Sequence, residues 1–185
     1  MILPIVQYGD PVLRRKCEAV AGVDGVIRSL AADMIETMVD ANGIGLAAPQ
    51  IGQAIRLAVV DVSHCPDCVS YLRVDGRERE LGEIMPLVFI NPVIEGLPGR
   101  VAEEEGCLSI REIRAMVRRP EAVKARLPQI DGSVIELETD GLLARALQHE
   151  IDHLNGILFV DRLSPAAKVG MRRRLRRLAA ELGPA

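Results

Sequence analysis

Apolar residues recur every three or four positions in two stretches of the chain, which is the period of a helix with one buried face. The first stretch covers residues 26–39 and follows Asp24, a residue type that commonly caps a helix. The second follows Thr139 or Asp140 and continues to Asn155, and its apolar side is wide enough to be buried. We therefore predict two amphipathic helices, the second of them within the core.

Between these helices the apolar residues form short segments that are typical of strands. Four such segments are residues 55–62, 87–94, 122–127 and 134–139. A turn containing Asp131 and Gly132 joins the last two, which favours antiparallel pairing. A third helix is predicted over residues 164–182, beginning at Ser164 and Pro165. Strands between helices, without a regular alternation, predict an α+β fold with antiparallel sheets packed around the second helix.

The composition fits a single domain over residues 1–185 with an aliphatic core. Apolar residues make up 49% of the chain and aromatic residues 2%. A net charge of -3 leaves no broad basic surface, which argues against DNA or another nucleic acid as the main ligand. No stretch approaches the ~20 apolar residues of a membrane span, and the first residues do not resemble an export signal. We therefore expect a cytoplasmic protein whose four cysteines are thiols or metal ligands rather than a disulfide framework.

The strongest chemical signal is the segment HEIDH in the second predicted helix. His149 and His153 are four residues apart, so both imidazoles face one side of the helix and can share a metal ion. The carboxylate of Glu150 lies beside them, where it can act on a water without occupying a coordination position. In an apolar helix these groups lose hydration at a high cost unless they have a strong partner such as a metal. The segment therefore predicts a one-metal hydrolase.

A third metal ligand must come from another part of the chain, because a catalytic site usually has three protein ligands and leaves the fourth position to water. The one remaining histidine, His64, precedes the motif, so the extended zinc-protease pattern with a later histidine is absent. Cys107 in EEEGCLSI is the leading candidate, since Gly106 lets the backbone approach closely. A free cysteine is more often a small buried apolar residue, so the residues alone leave both interpretations of Cys107 open.

Residues 63–84 are predicted to form an exposed hairpin insertion, because the charged run DGRERE within them is typical of a solvated surface. They contain His64, Cys65 and Cys68 in the string HCPDC. This group could bind structural zinc or act as a redox pair, but a lone CxxC lacks the second ligand pair of a zinc ribbon. We therefore expect no essential metal in this insertion.

Three separate segments together resemble the peptide deformylase family. They are GIGLAAPQ at residues 43–50, EGCLS at 105–109 and QHEIDH at 148–153. The resemblance implies a metal-dependent hydrolase that removes the formyl group from N-formylmethionine of newly synthesised polypeptides and releases formate. It also implies that Cys107, His149 and His153 bind one Fe2+ per chain, which Zn2+, Ni2+ or Co2+ can replace.

The resemblance implies roles for the residues around the metal as well. Glu150 carries the protons of the reaction, while the Gln50 side chain and the Leu108 backbone N–H stabilise the oxyanion. Gly45 lets the main chain approach the peptide substrate. The remaining residues implied to contact the substrate are Ile44, Leu142, Ala146 and His149 around the methionine side chain, together with Gly43 and Arg114.

The implied partners are N-formylmethionyl nascent peptides and, through the third helix, the ribosome. The run RRRLRR from Arg172 to Arg177 presents a basic helix face that could dock on RNA. The alternative is an ordinary solvated face, which is the usual role of such a run.

Two other functions fit parts of the same sequence. A zinc endopeptidase would need HEIDH alone, would cleave internal peptide bonds and would be indifferent to Cys107. A metal-binding or redox module without enzymatic activity would be centred on Cys65 and Cys68. The dependence of activity on each cysteine separates these alternatives from a deformylase.

Overall fold

A computed structural model describes residues 1–181. Its helices are α1 (Gly25–Asp40), α2 (Gly141–Leu154) and α3 (Pro165–Glu181), and they coincide with the stretches whose apolar spacing predicts them. The Asp24 carboxylate caps α1 by accepting a hydrogen bond from the Ile27 backbone N–H at 2.9 Å. Leu182, predicted to continue the apolar face of the third helix, lies outside the described residues. Within that part of the chain, no helix is both long and apolar enough to cross a membrane.

The strands form three antiparallel sheets, which confirms the α+β class. The strands are β1 (Gly45–Ala47), β2 (Leu57–Val60), β3 (Leu72–Val74), β4 (Arg77–Glu78), β5 (Leu87–Ile90), β6 (Val93–Gly96), β7 (Arg100–Cys107), β8 (Ile110–Pro120), β9 (Ala122–Pro128) and β10 (Val134–Asp140). Their orders are β1-β2-β5, β4-β3-β10-β9-β6 and β7-β8. The predicted hairpin around Asp131 and Gly132 is confirmed by the pairing of β9 with β10.

Helix α2 lies at the centre of the fold because it contacts both the first sheet and the second. Helix α1 covers the opposite face of the first sheet. Alternate side chains of β2 point to opposite sides of that sheet. Ala58 and Val60 belong to the same core cluster as Leu147 of α2, whereas Val59 belongs to the cluster that contains Met34 of α1. Ten of the 14 residues of α2 are buried, so the HEIDH segment is inside the protein.

The predicted strand over residues 87–94 is wrong as a single element, since it is divided between two sheets. Asn91 has a left-handed backbone with φ 47, and Pro92 has no N–H to donate to a ladder. The chain therefore turns there, and β5 joins the first sheet while β6 pairs with β9 in the second.

The β7-β8 hairpin was not predicted from the sequence, although it carries Cys107 at its tip. Its two strands are joined by a two-residue turn, Leu108 and Ser109, and Cys107 pairs with Ile110. Polar residues dominate β7, which obscures the alternation on which a strand prediction depends. In β8 the alternation is present from residue 113 to 119, but arginine occupies the last buried position.

Residues 63–84 contain a β3-β4 hairpin that joins the second sheet through the pairing of β3 with β10. Leu72, Val74 and Leu81 of this segment are buried. Cys65 and Cys68 are joined by a disulfide, so the expectation that these two cysteines are thiols or ligands is wrong. They are adjacent in space because a single 3-10 turn, Pro66–Cys68, brings them together.

Residues 65–71 of this segment contact the start of α2. Asp140 precedes the helix, but its carboxylate does not cap it, although aspartate is a residue type that commonly caps a helix. It instead accepts hydrogen bonds from the backbone N–H groups of Ser70 at 2.8 Å and Tyr71 at 3.3 Å. Gly141 follows with φ 56, and a Cβ at this position would lie 3.2 Å from the carbonyl carbon of Cys68. Residues 65–71 are therefore packed directly against the helix that carries HEIDH.

We expect Gly141→Ala to destabilise the fold more than Gly76→Ala. Both glycines have positive φ, 56 and 76, where an alanine costs about 1–2 kcal/mol. At Gly141 the new methyl group would also clash with the Cys68 carbonyl, whereas a Cβ at Gly76 meets nothing within 4 Å in the described structure. Chemical denaturation should give the lower free energy of unfolding for Gly141→Ala, and equal losses would contradict this packing.

Candidate metal centre

Three potential metal ligands converge from two distant parts of the chain. Cys107 ends β7, while His149 and His153 lie one turn apart on α2. The His153 Nε2 atom is 3.3 Å from the Cys107 Sγ atom and 3.3 Å from the His149 Nε2 atom. One donor atom from each of the three residues lies within 4.8 Å of the other two. Such a cluster can surround a single ion.

Glu150 lies beside this cluster in a space that Gly45 leaves free. Its side chain is buried, and its Oε2 atom has no hydrogen-bond partner among the described residues. A Cβ at position 45 would lie 2.7 Å from the carboxyl carbon of Glu150, so β1 can approach the helix this closely only with glycine. Burial raises the pKa of Glu150 to about 7. The pKa of this carboxyl group therefore lies close to neutral pH, where it can both accept and release a proton.

Glu105 lies behind His149 and orients its ring. The Glu105 Oε2 atom is 3.2 Å from the His149 Nδ1 atom, on the side of the imidazole opposite to the ligand nitrogen. Burial alone would raise the pKa of Glu105, but hydrogen bonds from Arg119 and His149 outweigh it and hold the pKa well below its usual range. A charged carboxylate on Nδ1 leaves Nε2 directed at the metal position, as in many histidine metal ligands.

A buried set of charges continues from Glu105 and connects the β7-β8 hairpin to α2. Arg119 of β8 donates to Glu105 at 2.5 and 2.9 Å and to Asp152 of α2 at 2.8 Å. Arg145 of α2 donates to Glu105 at 2.6 Å and to Glu103 at 2.8 Å. We call Glu105, Arg119, Arg145 and Asp152 the buried charge network.

The buried charge network was not predicted from the sequence. The sequence contained one sign of it, since Arg119 falls on the same side of β8 as the buried residues Ile113, Ala115 and Val117. A charged residue on the buried side of a strand needs a partner of opposite charge. Which acid provides it depends on contacts between distant segments.

Gln50 and Leu108 lie against the ligand cluster. The Gln50 Oε1 atom accepts a hydrogen bond from the Ala47 backbone N–H at 2.8 Å, which fixes the orientation of the amide. The Nε2 group therefore points to the Cys107 Sγ atom at 3.5 Å and the Ser109 hydroxyl at 3.3 Å. Leu108 belongs to the hairpin turn that follows Cys107 and lines the same cavity.

A cavity of about 820 Å³ opens onto this cluster. It brings together all the residues that the resemblance associates with substrate, namely Gly43, Ile44, Gly45, Arg114, Leu142, Ala146 and His149. Arg114 lies across the backbone of Gly106, where a Cβ would meet its Cγ atom at 3.4 Å. Cys107 and His149 of the ligand cluster line the cavity, and further lining residues come from β1, α2, the β7-β8 hairpin and α3.

The donor set fits one divalent metal ion. A thiolate and two imidazoles suit iron, zinc, nickel or cobalt, so the ligand types alone do not select among these metals. Burial opposes a charge on His149, but hydrogen bonds to Cys107 and Glu105 raise its pKa well above the usual value. Surroundings that favour a proton on this ring also favour a bound cation. Burial lowers the pKa of His153, which keeps this ring neutral and able to bind a metal.

The HCPDC segment provides no comparable cluster within residues 1–181, since the sulfur atoms of Cys65 and Cys68 are bonded to each other. Cys17 is the other free cysteine of the chain, and it is buried in the core. Cys107 is therefore the cysteine that combines a free thiol with nearby histidines.

Comparison with known proteins gives one family. The family model for polypeptide deformylase matches residues 2–169. The peptide deformylase of Opitutus terrae is 44% identical over 195 residues, covering 100% of both chains. The crystal structure of a peptide deformylase from Legionella pneumophila has a TM-score of 0.79 and 36% identity, covering 100% of this chain and 99% of that one. A class I type b peptide deformylase from Acinetobacter baumannii, solved with Met-Ala-Ser bound, has a TM-score of 0.74 and 33% identity, with 88% and 99% covered.

We expect Glu105→Gln to weaken metal binding by about 10- to 100-fold, because His149 loses the charged acceptor that orients it. Glu104→Gln is the matched control, since Glu104 is the preceding residue of β7 and is exposed in an ion pair with Arg114. Competition with a chelator measures the affinity, and circular dichroism confirms that both variants are folded. Equal affinities for the two variants would show that the Glu105 carboxylate does not support the metal site.

Proposed function

Given that the chain belongs to the polypeptide deformylase family, we propose that Cys107, His149 and His153 bind its metal ion and that Glu150 moves the protons. The reaction is the removal of the formyl group from newly synthesised polypeptides, and the enzyme is a metallohydrolase. The proposal concerns which residues of this chain perform each part of that reaction.

The observation that carries the proposal is the convergence of three ligand atoms beside a buried carboxylate that has no partner. The ligand atoms lie within 4.8 Å of one another. The free oxygen of Glu150 has no competing hydrogen bond within residues 1–181. Metal ligands and proton carrier are thus separate residues in one cavity.

Glu150 accepts a proton from the attacking water and later gives it to the leaving amine. A divalent ion held by the three ligands supplies Lewis acidity, which can lower the pKa of water from 15.7 toward about 7. Burial raises the pKa of Glu150 to about 7, and the positive charge of an ion beside it would lower that value. The carboxylate is therefore suited to carry one proton between two steps at neutral pH.

Gln50 and Leu108 donate hydrogen bonds to the oxygen of the formyl group as negative charge develops on it. The Gln50 amide needs no reorientation, because its Oε1 atom already accepts a hydrogen bond from the Ala47 backbone N–H at 2.8 Å. Removing one such donor typically costs about 3 kcal/mol of transition-state stabilisation. Gly45 contributes by admitting the Glu150 carboxylate, and because it lines the cavity its backbone can also contact the peptide.

The methionine side chain occupies the apolar wall formed by Ile44, Leu142 and Ala146, whose apolar atoms suit an unbranched thioether. The Acinetobacter baumannii relative was solved with Met-Ala-Ser bound. We propose that this chain likewise accommodates the first residues of a peptide, since its cavity is near the upper end of the 300–1,000 Å³ range of ligand sites.

The metal that we propose is one Fe2+ per chain, with Zn2+, Ni2+ or Co2+ as functional substitutes. A thiolate ligand and two imidazoles accept each of these ions. The choice of iron rests on the resemblance to the deformylase family, and elemental analysis of anaerobically purified protein tests it.

The comparisons support neither of the two alternative functions. A zinc endopeptidase that uses HEIDH alone leaves Cys107 without a role, although its Sγ atom is 3.3 Å from the His153 Nε2 atom. A module centred on Cys65 and Cys68 would not account for the ligand cluster or for the family match over residues 2–169.

Helix α3 has exposed arginines that are suited to contact with the ribosome. Arg172, Arg173 and Arg176 are exposed on α3, and no ion pair involves them within residues 1–181. Arg174 and Arg177 instead contact Glu112 of the β7-β8 hairpin. We propose that the three unpaired arginines form the basic face that contacts ribosomal RNA.

We expect Glu150→Gln to lower kcat for formate release from formyl-Met-Ala by about 100- to 10,000-fold while the metal remains bound. Cys107→Ser should lose both the metal and the activity, because a hydroxyl replaces the thiolate. Cys65→Ser is the control and should retain both. Indifference to Cys107→Ser would favour the endopeptidase, and loss of activity in Cys65→Ser would favour the redox module.

We expect a variant with Arg172, Arg173 and Arg176 changed to Glu to lose ribosome binding in a cosedimentation assay. Phosphate contacts make such binding weaker at higher salt, so the wild type should show this dependence. Release of formate from formyl-Met-Ala should be unchanged, since these residues do not line the cavity. Unchanged ribosome binding would remove the proposal and leave the deformylase assignment intact.

A further inference from the structure

The C-terminal helix contributes to the wall of the active-site cavity. Residues Ala167, Met171, Leu175 and Leu178 form its inner face and pack on the core cluster beneath β8. Arg174 lies at the edge of that inner face, one turn beyond Met171, and it lines the cavity. Its position is fixed by a hydrogen bond from its Nη2 group to the Glu112 backbone carbonyl at 2.5 Å.

Two further arginines, Arg111 and Arg114, line the same cavity from β8. Both are exposed, as is Arg174, so all three lie on the solvent side of the cavity, whereas Glu150 and His153 are buried. We call Arg111, Arg114 and Arg174 the cationic rim. A peptide that reaches Glu150 from solvent enters the cavity that these three residues line.

The acidic residues near the cationic rim are already paired. Glu104 lies 3.4 Å from Arg114, and Glu112 lies 3.5 Å from Arg177. Arg174 donates to a neutral carbonyl, so its charge is not cancelled. Within residues 1–181, neither Arg111 nor Arg174 forms an ion pair. The mouth of the cavity therefore carries an excess of positive charge.

We propose that the cationic rim selects formylated peptides with acidic residues shortly after the formylmethionine. This inference rests on the proposed function, because it assumes that the formyl end lies at Glu150. Charges of one sign along a cleft with low-dielectric walls concentrate the field within it and raise the local concentration of an oppositely charged substrate. The effect is on binding and association, so it changes KM and not the chemical step.

The test compares formyl-Met-Ala-Xaa-Xaa peptides in which Xaa is Glu, Gln or Lys. We expect kcat/KM to decrease in that order, by about two- to five-fold for each charge at low ionic strength, as for other exposed ion pairs. The difference should appear in KM and should shrink in 0.5 M salt, where the screening length is only about 4 Å.

Variants then assign the preference to particular residues. Arg174→Gln and Arg111→Gln should each reduce the ratio of Glu to Gln peptide, and Arg174→Glu should invert the ratio of Glu to Lys peptide. Arg176→Gln is the matched control, because Arg176 is an exposed arginine of the same helix that does not line the cavity. All variants should hydrolyse the Gln peptide at the wild-type kcat, which shows that they are folded.

Two results would overturn the inference alone. One is equal kcat/KM for the Glu and Gln peptides in the wild type. The other is an equal loss of preference in Arg174→Gln and Arg176→Gln, which would mean that overall charge and not the cationic rim is responsible. If the wild type releases no formate even from the Gln peptide, the proposed function fails and the inference fails with it.

Discussion

The ligand cluster depends on the buried charge network, because this network fixes the β7-β8 hairpin against α2. Cys107 belongs to the hairpin and the two histidines belong to the helix, so their separation is set by how these two elements pack. Arg119 bridges Glu105 of the hairpin to Asp152 of the helix, with all three side chains buried. Removing one member of such a group leaves an unpaired buried charge, which typically costs 3–5 kcal/mol. The same ion pairs that hold the elements together therefore also position the metal ligands.

One member of the network also acts directly on a histidine ligand, because Glu105 accepts a hydrogen bond from the His149 ring. A buried ion pair is often no better for stability than an apolar pair of equal volume. Its presence here is explained by geometry, since an apolar replacement for Glu105 could not fix the orientation of an imidazole.

Glu150 is a buried acid without an ion-pair partner among the described residues. Its Oε2 atom has no hydrogen-bond partner within residues 1–181, and on the same helix this is otherwise true of the buried Nδ1 atom of His153. The glycine at position 45 makes room for the carboxylate without providing a hydrogen bond to it. An unsatisfied buried acid lowers stability, and in a cavity beside potential metal ligands it is the expected mark of a proton carrier. Residues 65–71 support this arrangement from outside, because they pack on the N-terminus of the same helix through Asp140 and Gly141.

The sequence alone determined the features that are encoded within a few consecutive turns or strands. Four-residue spacing placed His149 and His153 on one helical face, and the cap at Asp24 and the turn at Gly132 marked true element boundaries. The tertiary structure decided which residues meet across long sequence separations, although the family resemblance had already implied that Cys107 shares a metal ion with His149 and His153. The partnership of Cys107 with His153, the closeness of Gly45 to Glu150, and the pairing of Arg119 with both Glu105 and Asp152 leave no periodic trace in the chain. Periodicity records which side of an element is buried, whereas these contacts depend on how separate elements pack against each other.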